Sequence, residues 1–328
     1  MISPHLHPPR ARTVALIHGG WTPDTYDLDA LRTDMLAVRD GEVDDSIPEL
    51  EAADPDVCGI AVVDHDGALR STADADVEFS VQSAVKPFVY ALALADMGEE
   101  VLDRVGTEPT GEPFDAVVLE SSTGRPANPM VNAGALLTAS LVDGAAPDAR
   151  IERIMAGLSA FAGKELTVDE AVSHSERMLG DRNRALGHLM RSAGTLHVPV
   201  EDAITVYARA CSVLVSAETL ALMGATLAFG GRNPVTGEQV VSAEVVTTVL
   251  SVMVTCGMYD GSGRWLRRVG LPAKSGVAGG LVAAAPGVAG IGVYSPPLDP
   301  VGNSVRGVLA CERFSDDLGL HVFAVGRD

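Results

Sequence analysis

Apolar positions recur at helical spacing through the middle of the chain and give way to dense, strand-like runs at both ends. After a proline- and histidine-rich start, an acidic amphipathic segment from an Asp27 N-cap to Arg39, closed by Gly41, predicts a helix. Cys58 to Asp64 is a β-rich run, Asp66-Gly67 is a turn dipeptide, and the chain then resumes toward Ser71, so a hairpin is expected. Helical patterns dominate from Ser83 to about Met258. They predict helices from Ser83 to Met97 before Gly98, Asp148 to Phe161 before Gly163, Val200 to Val213, and Ser216 to Phe229 before Gly230-Gly231.

After Gly270 the texture turns small, β-branched and glycine-rich. Pro272 to Ala285, Gly287 to Ser295 and Ser304 to Cys311 read as sequential strands, with a last helix from Glu312 to Phe323. Strands at both ends with helices between them predict an α+β fold. Its antiparallel sheet would be built from the N- and C-terminal strands and flanked by helices, with a helical cluster inserted between them. Residues 1–26 read as an N-terminal tail. With no internal repeat, linker or low-complexity block, residues 27–328 read as a single domain.

Composition sharpens this picture in three ways. With 47% hydrophobic residues in 328, the chain has ample material for a core. A formal charge of −20 repels both a phosphate backbone and an anionic bilayer, so neither nucleic acid nor membrane is an expected partner. The four cysteines, Cys58, Cys211, Cys256 and Cys311, form no C-x-x-C and no Cys/His cluster, which predicts free thiols and no metal site. No apolar run approaches the ~20 residues of a membrane span, and the first residues lack the apolar core of an export signal. Together these features predict a cytoplasmic location.

Lysine usage carries the first chemical signal. The chain has three lysines against 21 arginines, and two of the three, Lys86 and Lys274, lie in short motifs suited to acyl transfer. Arginine cannot release its proton inside a protein, whereas a buried lysine can, so a lysine kept against that bias points to proton transfer or compact charge. Ser83-Ala84-Val85-Lys86 is an S-x-x-K motif, which on a helix sets hydroxyl and amine one turn apart on one face. Pro87 is acceptable only in a first helical turn, so Ser83 should stand at the helix N-terminus with its backbone N–H free to meet an oxyanion. To act as a base near neutrality Lys86 must drop about three units from ~10.4, which burial and a neighbouring cation could supply. Lys274-Ser275-Gly276 is a K-[ST]-G motif, the usual companion of S-x-x-K, and would bring that cation together with a second oxyanion donor, the Val277 N–H.

Penicillin-recognising enzymes share those two motifs, but their S-D-N element is missing here, and Glu176-Arg177-Met178-Leu179-Gly180 only approximates the E-x-x-L-N of class A β-lactamases. No G-x-S-x-G or H-E-x-x-H occurs either. From about Val43 to Phe323 the chain instead resembles the serine-dependent glutaminases. Gln82-Ser83-Ala84-Val85-Lys86-Pro87, Val105-Gly106-Thr107-Glu108-Pro109-Thr110-Gly111 and Asn128-Pro129-Met130-Val131-Asn132-Ala133-Gly134 carry the resemblance. So do Ser175-Glu176 with Arg182-Asn183-Arg184-Ala185, Cys256-Gly257-Met258-Tyr259-Asp260, Gly270-Leu271-Pro272-Ala273-Lys274-Ser275-Gly276-Val277, and Ser295-Pro296-Pro297-Leu298 with Gly302-Asn303-Ser304.

The resemblance implies a β-lactamase-like fold (shared with DD-peptidases), hydrolysis of L-glutamine to glutamate and ammonia, no cofactor, and a homodimer or homotetramer. It implies Ser83 as nucleophile and Lys86 as its activating partner, with Tyr207 and Tyr259 near the reacting centre and Tyr259 passing a proton to the departing ammonia. Asn132, Glu176, Asn183 and the Val277 backbone would complete the glutamine contacts. A carboxylate suits the substrate's α-ammonium, and amide and phenol donors suit its α-carboxylate. Three positions depart from the family pattern: Ala210 for a commoner glutamine, Asp115 for asparagine, and Tyr294 for tryptophan. A β-lactamase or peptidase-like acyl hydrolase, and a catalytically silent glutamine-binding protein, remain the alternative readings.

Overall fold

The computed structural model describes residues 25–111 and 119–324; Asp115 and most of the N-terminal tail lie outside them. Seven strands are present among these residues: β1 Gly59–Asp64, β2 Leu69–Ser71, β3 Phe79–Ser80, β4 Leu214–Val215, β5 Ala273–Ser275, β6 Gly280–Ala285 and β7 Ala289–Tyr294. Five of them form one sheet in the order β2-β1-β7-β6-β5, with every neighbour antiparallel. The first long strand thus pairs with the last, Gly59 opposite Tyr294 and Asp64 opposite Ala289, as the α+β reading expects.

Both faces of this sheet are covered, so its central strands are apolar throughout rather than alternating with polar residues. Ile60, Val62, Leu281, Ala283, Ile291 and Val293 pack with the helices Leu28–Leu36 and Val305–Leu318. Ala61, Val63, Val282 and Ala284 face the helical cluster. The Leu28–Leu36 helix is capped as expected, Asp27 Oδ1 accepting from Ala30 N at 2.9 Å, but it ends three residues before Arg39.

The C-terminal region departs from expectation in three places. The single strand read from Pro272 to Ala285 is two, β5 and β6, joined by the turn at Gly276–Gly279. Ser304 to Cys311 is not a strand but the start of the Val305–Leu318 helix, which Ser304 caps by accepting from Gly307 N at 3.1 Å. Small and β-branched residues there imitate a strand. The buried positions Arg306, Gly307, Ala310, Cys311, Phe314 and Leu318 nevertheless fall three and four apart, one helical face against the sheet. That helix ends at Gly319, whose φ of 64° is left-handed, so the expected run to Phe323 stops short.

Elsewhere the helical readings agree with the structure to within a few residues: Pro147–Ala162 before Gly163, Val200–Cys211, and Ala217–Ala228 capped by Ser216. Among the described residues no single helix is long and apolar enough to cross a membrane. A separate two-stranded ribbon, β3 with β4, matters more for function. It joins the segment just ahead of Ser83 to the end of the Val200–Cys211 helix, and Val81 N adds a bond to Val213 O at 2.8 Å.

The Ala217–Ala228 helix lies directly on β7, where Gly290 and Gly292 leave no side chain in its path. A Cβ at Gly292 would overlap the Ala217 carbonyl oxygen and the Ala221 N, and one at Gly290 would overlap Ala225 N. Gly292→Ala should therefore destabilise the fold by about 1–3 kcal/mol, read as a lower urea midpoint at unchanged slope. An unshifted midpoint would contradict this packing.

Candidate active site

Ser83 lies in a 3-10 turn, Gln82–Val85, that runs directly into the Lys86–Met97 helix with Pro87 in its first turn. Gln82, just ahead of Ser83, has a φ of 48°, an uncommon left-handed conformation for a residue with a Cβ. This bend lets the extended β3 turn abruptly into the helix. Ser83 and Lys86 are 7% and 2% exposed, so the pair is buried rather than on a surface.

Lys86 Nζ donates to the Met130 carbonyl at 3.0 Å and to Asn132 Oδ1 at 2.8 Å. The Asn132 amide then donates from Nδ2 to Asn183 Oδ1 at 3.2 Å. With their carbonyl oxygens occupied, the two half-buried asparagines form a fixed chain outward from the buried amine. Asn132 opens the Asn132–Leu141 helix, and Asn183 lies in the first turn of the Asp181–Ser192 helix, which explains how residues 51 apart meet. Burial is the main cause that pulls the Lys86 amine down to about 8, with Cys211 and Glu176 acting in the opposite sense.

The K-[ST]-G motif faces this turn. Lys274 and Ser275 lie in β5, fully buried, and Gly276 follows. A Cβ on Gly276 would come within 2.8 Å of Val81 O and 3.2 Å of Ala84 N, so only glycine lets the strand end approach the Ser83 turn this closely. Val277, next along the turn, is partly exposed, and among the described residues its backbone N–H has no partner. Burial first, and the Lys86 charge second, push the Lys274 amine well below the usual lysine range. Burial, not the Lys274 charge, is thus the leading cause of the depression at Lys86.

Two phenols close over Ser83. Tyr207, from the Val200–Cys211 helix, and Tyr259, from the 3-10 turn Tyr259–Gly261, both neighbour the Ser83 hydroxyl, which opposes the rise that burial gives each phenol. Tyr259 also donates its O–H to the Ser275 carbonyl at 3.2 Å. Burial raises both phenols well above their ordinary value, so both stay protonated at neutral pH. Glu176, on the Glu170–Met178 helix, is half-buried; burial raises its carboxyl, while the nearby Gln82 amide and the charge of Lys86 oppose that rise.

The expected site residues therefore gather around one centre, with Ser83, Lys86, Tyr207, Tyr259 and Lys274 buried and Asn132, Glu176, Asn183 and Val277 partly exposed. Sequence reasoning missed four participants: Gln82, the Met130 and Ser275 carbonyls, and Cys211, a buried thiol next to Tyr207 that is pushed up to about 12 mainly by burial. Cys211 follows Tyr207 by four residues on one helix, the only advance signal of that contact. The departure at Ala210 is buried beside Cys211 in the same helix, and Tyr294 stacks on Phe79 at 3.9 Å in the core. A cavity of about 330 Å³ flanks the centre, lined in part by Met130, Val131, Cys256 and Tyr259.

Comparison with known proteins identifies the family. The glutaminase family model matches residues 41–323. A glutaminase of Clavibacter michiganensis subsp. michiganensis is 61% identical over 297 residues, covering 90% of this chain and 91% of its own. One from Nostoc sp. is 47% identical over 294 residues, covering 89% and 88%. Among solved structures, the probable glutaminase ybaS superposes with a TM-score of 0.89 at 41% identity, covering 91% of this chain and 97% of its own. Mglu in its glutamate form superposes with a TM-score of 0.87 at 48% identity, covering 90% and 69%. With its family match, its close relatives and its β-lactamase-like fold in agreement, the chain belongs to the glutaminase family, amidohydrolases that act on glutamine.

Proposed function

We propose that this chain hydrolyses L-glutamine to L-glutamate and ammonia through an acyl-enzyme on Ser83. The observation that carries the mechanism is the setting of Lys86. A neutral lysine amine has two hydrogens and one lone pair, and the Met130 and Asn132 oxygens accept both hydrogens. The lone pair is then the one valence left to take a proton, and the nearest hydroxyl along the chain is that of Ser83, one turn earlier.

In the first half-reaction Lys86 removes the Ser83 proton as Oγ bonds to the side-chain amide carbon of glutamine. The negative charge that develops on the amide oxygen meets the Ser83 and Val277 N–H groups, each worth about 3 kcal/mol in the transition state. The C–N bond breaks as the nitrogen takes up the proton that Lys86 holds, passed through Tyr259, so ammonia leaves and Lys86 is neutral again. Water then attacks the glutamyl ester, Lys86 accepts its proton, and Ser83 regains its own as glutamate departs. Glu176 supports binding of the α-ammonium. Asn183, whose Nδ2 hydrogens remain after its oxygen is used by Asn132, supports binding of the α-carboxylate.

We further infer that residues 27–328 act as one catalytic domain, since the site draws on β5, the turn after β3 and five helices of the inserted cluster. Four free, buried cysteines support a cytoplasmic setting. Exposed Met178, Leu179 and Leu189, on or beside neighbouring helices, support assembly into a dimer or tetramer.

Ser83→Ala should lower ammonia release from glutamine by at least a thousandfold with the melting temperature preserved. Ammonia release at the wild-type rate in that variant would remove the nucleophile, whereas glutamine-induced thermal stabilisation without any turnover by the wild type would identify a silent binder. Lys86→Arg keeps a charge but cannot titrate, and should cost about 100-fold or more in kcat. Because burial lowers the Lys86 amine to about 8 and the neutral form is the reactive one, kcat/KM should rise with pH, reach half its plateau near 8 and level off above that. A profile that falls over that interval would contradict the base role.

A further inference from the structure

One face of the Tyr259 ring is covered by a buried amine. Lys274 Nζ lies 3.9 Å from the ring centroid. The same nitrogen donates to the Ser275 carbonyl at 2.6 Å, and that carbonyl also accepts the Tyr259 O–H at 3.2 Å. A carbonyl oxygen has two lone pairs, so it can serve both donors at once. Ser275 is itself anchored, its Oγ donating to Asn303 Oδ1 at 2.5 Å, and Asn303 is 4% exposed. Tyr259 needs such support, because its φ of 55° is a left-handed conformation that a bulky residue rarely holds without help from its surroundings.

We infer that Lys274 is a positioning residue for Tyr259: it fixes the phenol ring by its face and shares the carbonyl that aims the phenol hydroxyl. This rests on the role proposed above for Tyr259 and changes the one expected of Lys274, which would act on the phenol rather than prepare Lys86. The hydrogen-bond pattern separates the two amines. Those of Lys86 go to Met130 and Asn132, and that of Lys274 goes to Ser275, so the two share no acceptor.

The consequence for the reaction lies in the phenol's oxygen. At rest the Tyr259 O–H is held by the Ser275 carbonyl; to relay a proton the phenol accepts one on its oxygen as its own O–H turns from Ser275 to the leaving nitrogen, and Lys274 keeps the ring in place as it turns. An N–H of Lys274 makes both contacts whether the amine carries two hydrogens or three, so the positioning does not depend on its charge.

A double-mutant cycle tests this. Lys274→Met removes the amine while keeping a chain of similar length; it should lower kcat by about 10- to 100-fold with KM within threefold, since only the alignment of a reacting group is lost. In a Tyr259→Phe background the same change should cost less than twofold in kcat, because the hydroxyl it positions is already gone. Equal losses in both backgrounds would place the action of Lys274 elsewhere and overturn this inference while leaving the role of Tyr259 intact. If Tyr259→Phe alone retained full kcat, the role of Tyr259 would fall and this inference with it. Circular dichroism checks the fold of each variant, and should Lys274→Met not fold, Lys274→Gln, with a shorter neutral chain, carries the same cycle to the same criteria.

Discussion

A lysine amine withdrawn from water loses several kcal/mol unless its hydrogens find acceptors, and the architecture of this site follows from providing them. Lys86 is 2% exposed, and the groups that satisfy it, the Met130 carbonyl and Asn132 Oδ1, come from a segment more than 40 residues away. That segment must therefore be held against the start of the Lys86–Met97 helix. Asn132 is in turn held by Asn183, so the requirement of one amine extends through three helices.

The opposite wall answers to a second constraint, the closeness of β5 to the Ser83 turn. Glycine at 276 allows it, the pairing of β5 with β6 places it, and the Ser275–Asn303 bond fastens it to the far side of the sheet. Because β6 pairs with β7 and β7 with β1, the strand that carries Lys274 is registered against the N-terminal strand by an unbroken antiparallel ladder. Sheet and helical cluster meet along the line between Ser83 and Lys274. The reacting groups stand at that boundary, where neither part alone would bury two amines.

Several features were legible before any coordinates. The three-residue spacing of Ser83 and Lys86, the K-[ST]-G motif and the lysine economy pointed to acyl transfer from the residues themselves. Pro87 and Asp27 marked helix starts, and strands at both ends implied their pairing. Tyr207, Glu176, Asn132 and Asn183 were reached through family resemblance, because a lone tyrosine, glutamate or asparagine carries no spacing signal. The strand misread at Ser304 to Cys311 has a plain cause. Val305, Val308 and the small residues between them favour a pleated surface, but the sheet already has its C-terminal strands, and the apolar face at three- and four-residue spacing docks as a helix instead.

What the sequence determined by itself is the chemistry available: a hydroxyl and an amine one turn apart, a second lysine before a glycine, and a chain apolar enough to bury them. What only the tertiary structure decided is which acceptor each amine meets. The Met130 and Ser275 carbonyls are backbone groups, present at every residue and therefore silent in a sequence, and they become specific only when the chain folds one amine onto each. The left-handed turns at Gln82 and Tyr259 belong to the same class. Side chains do not announce such conformations; the packing of two distant segments against each other imposes them.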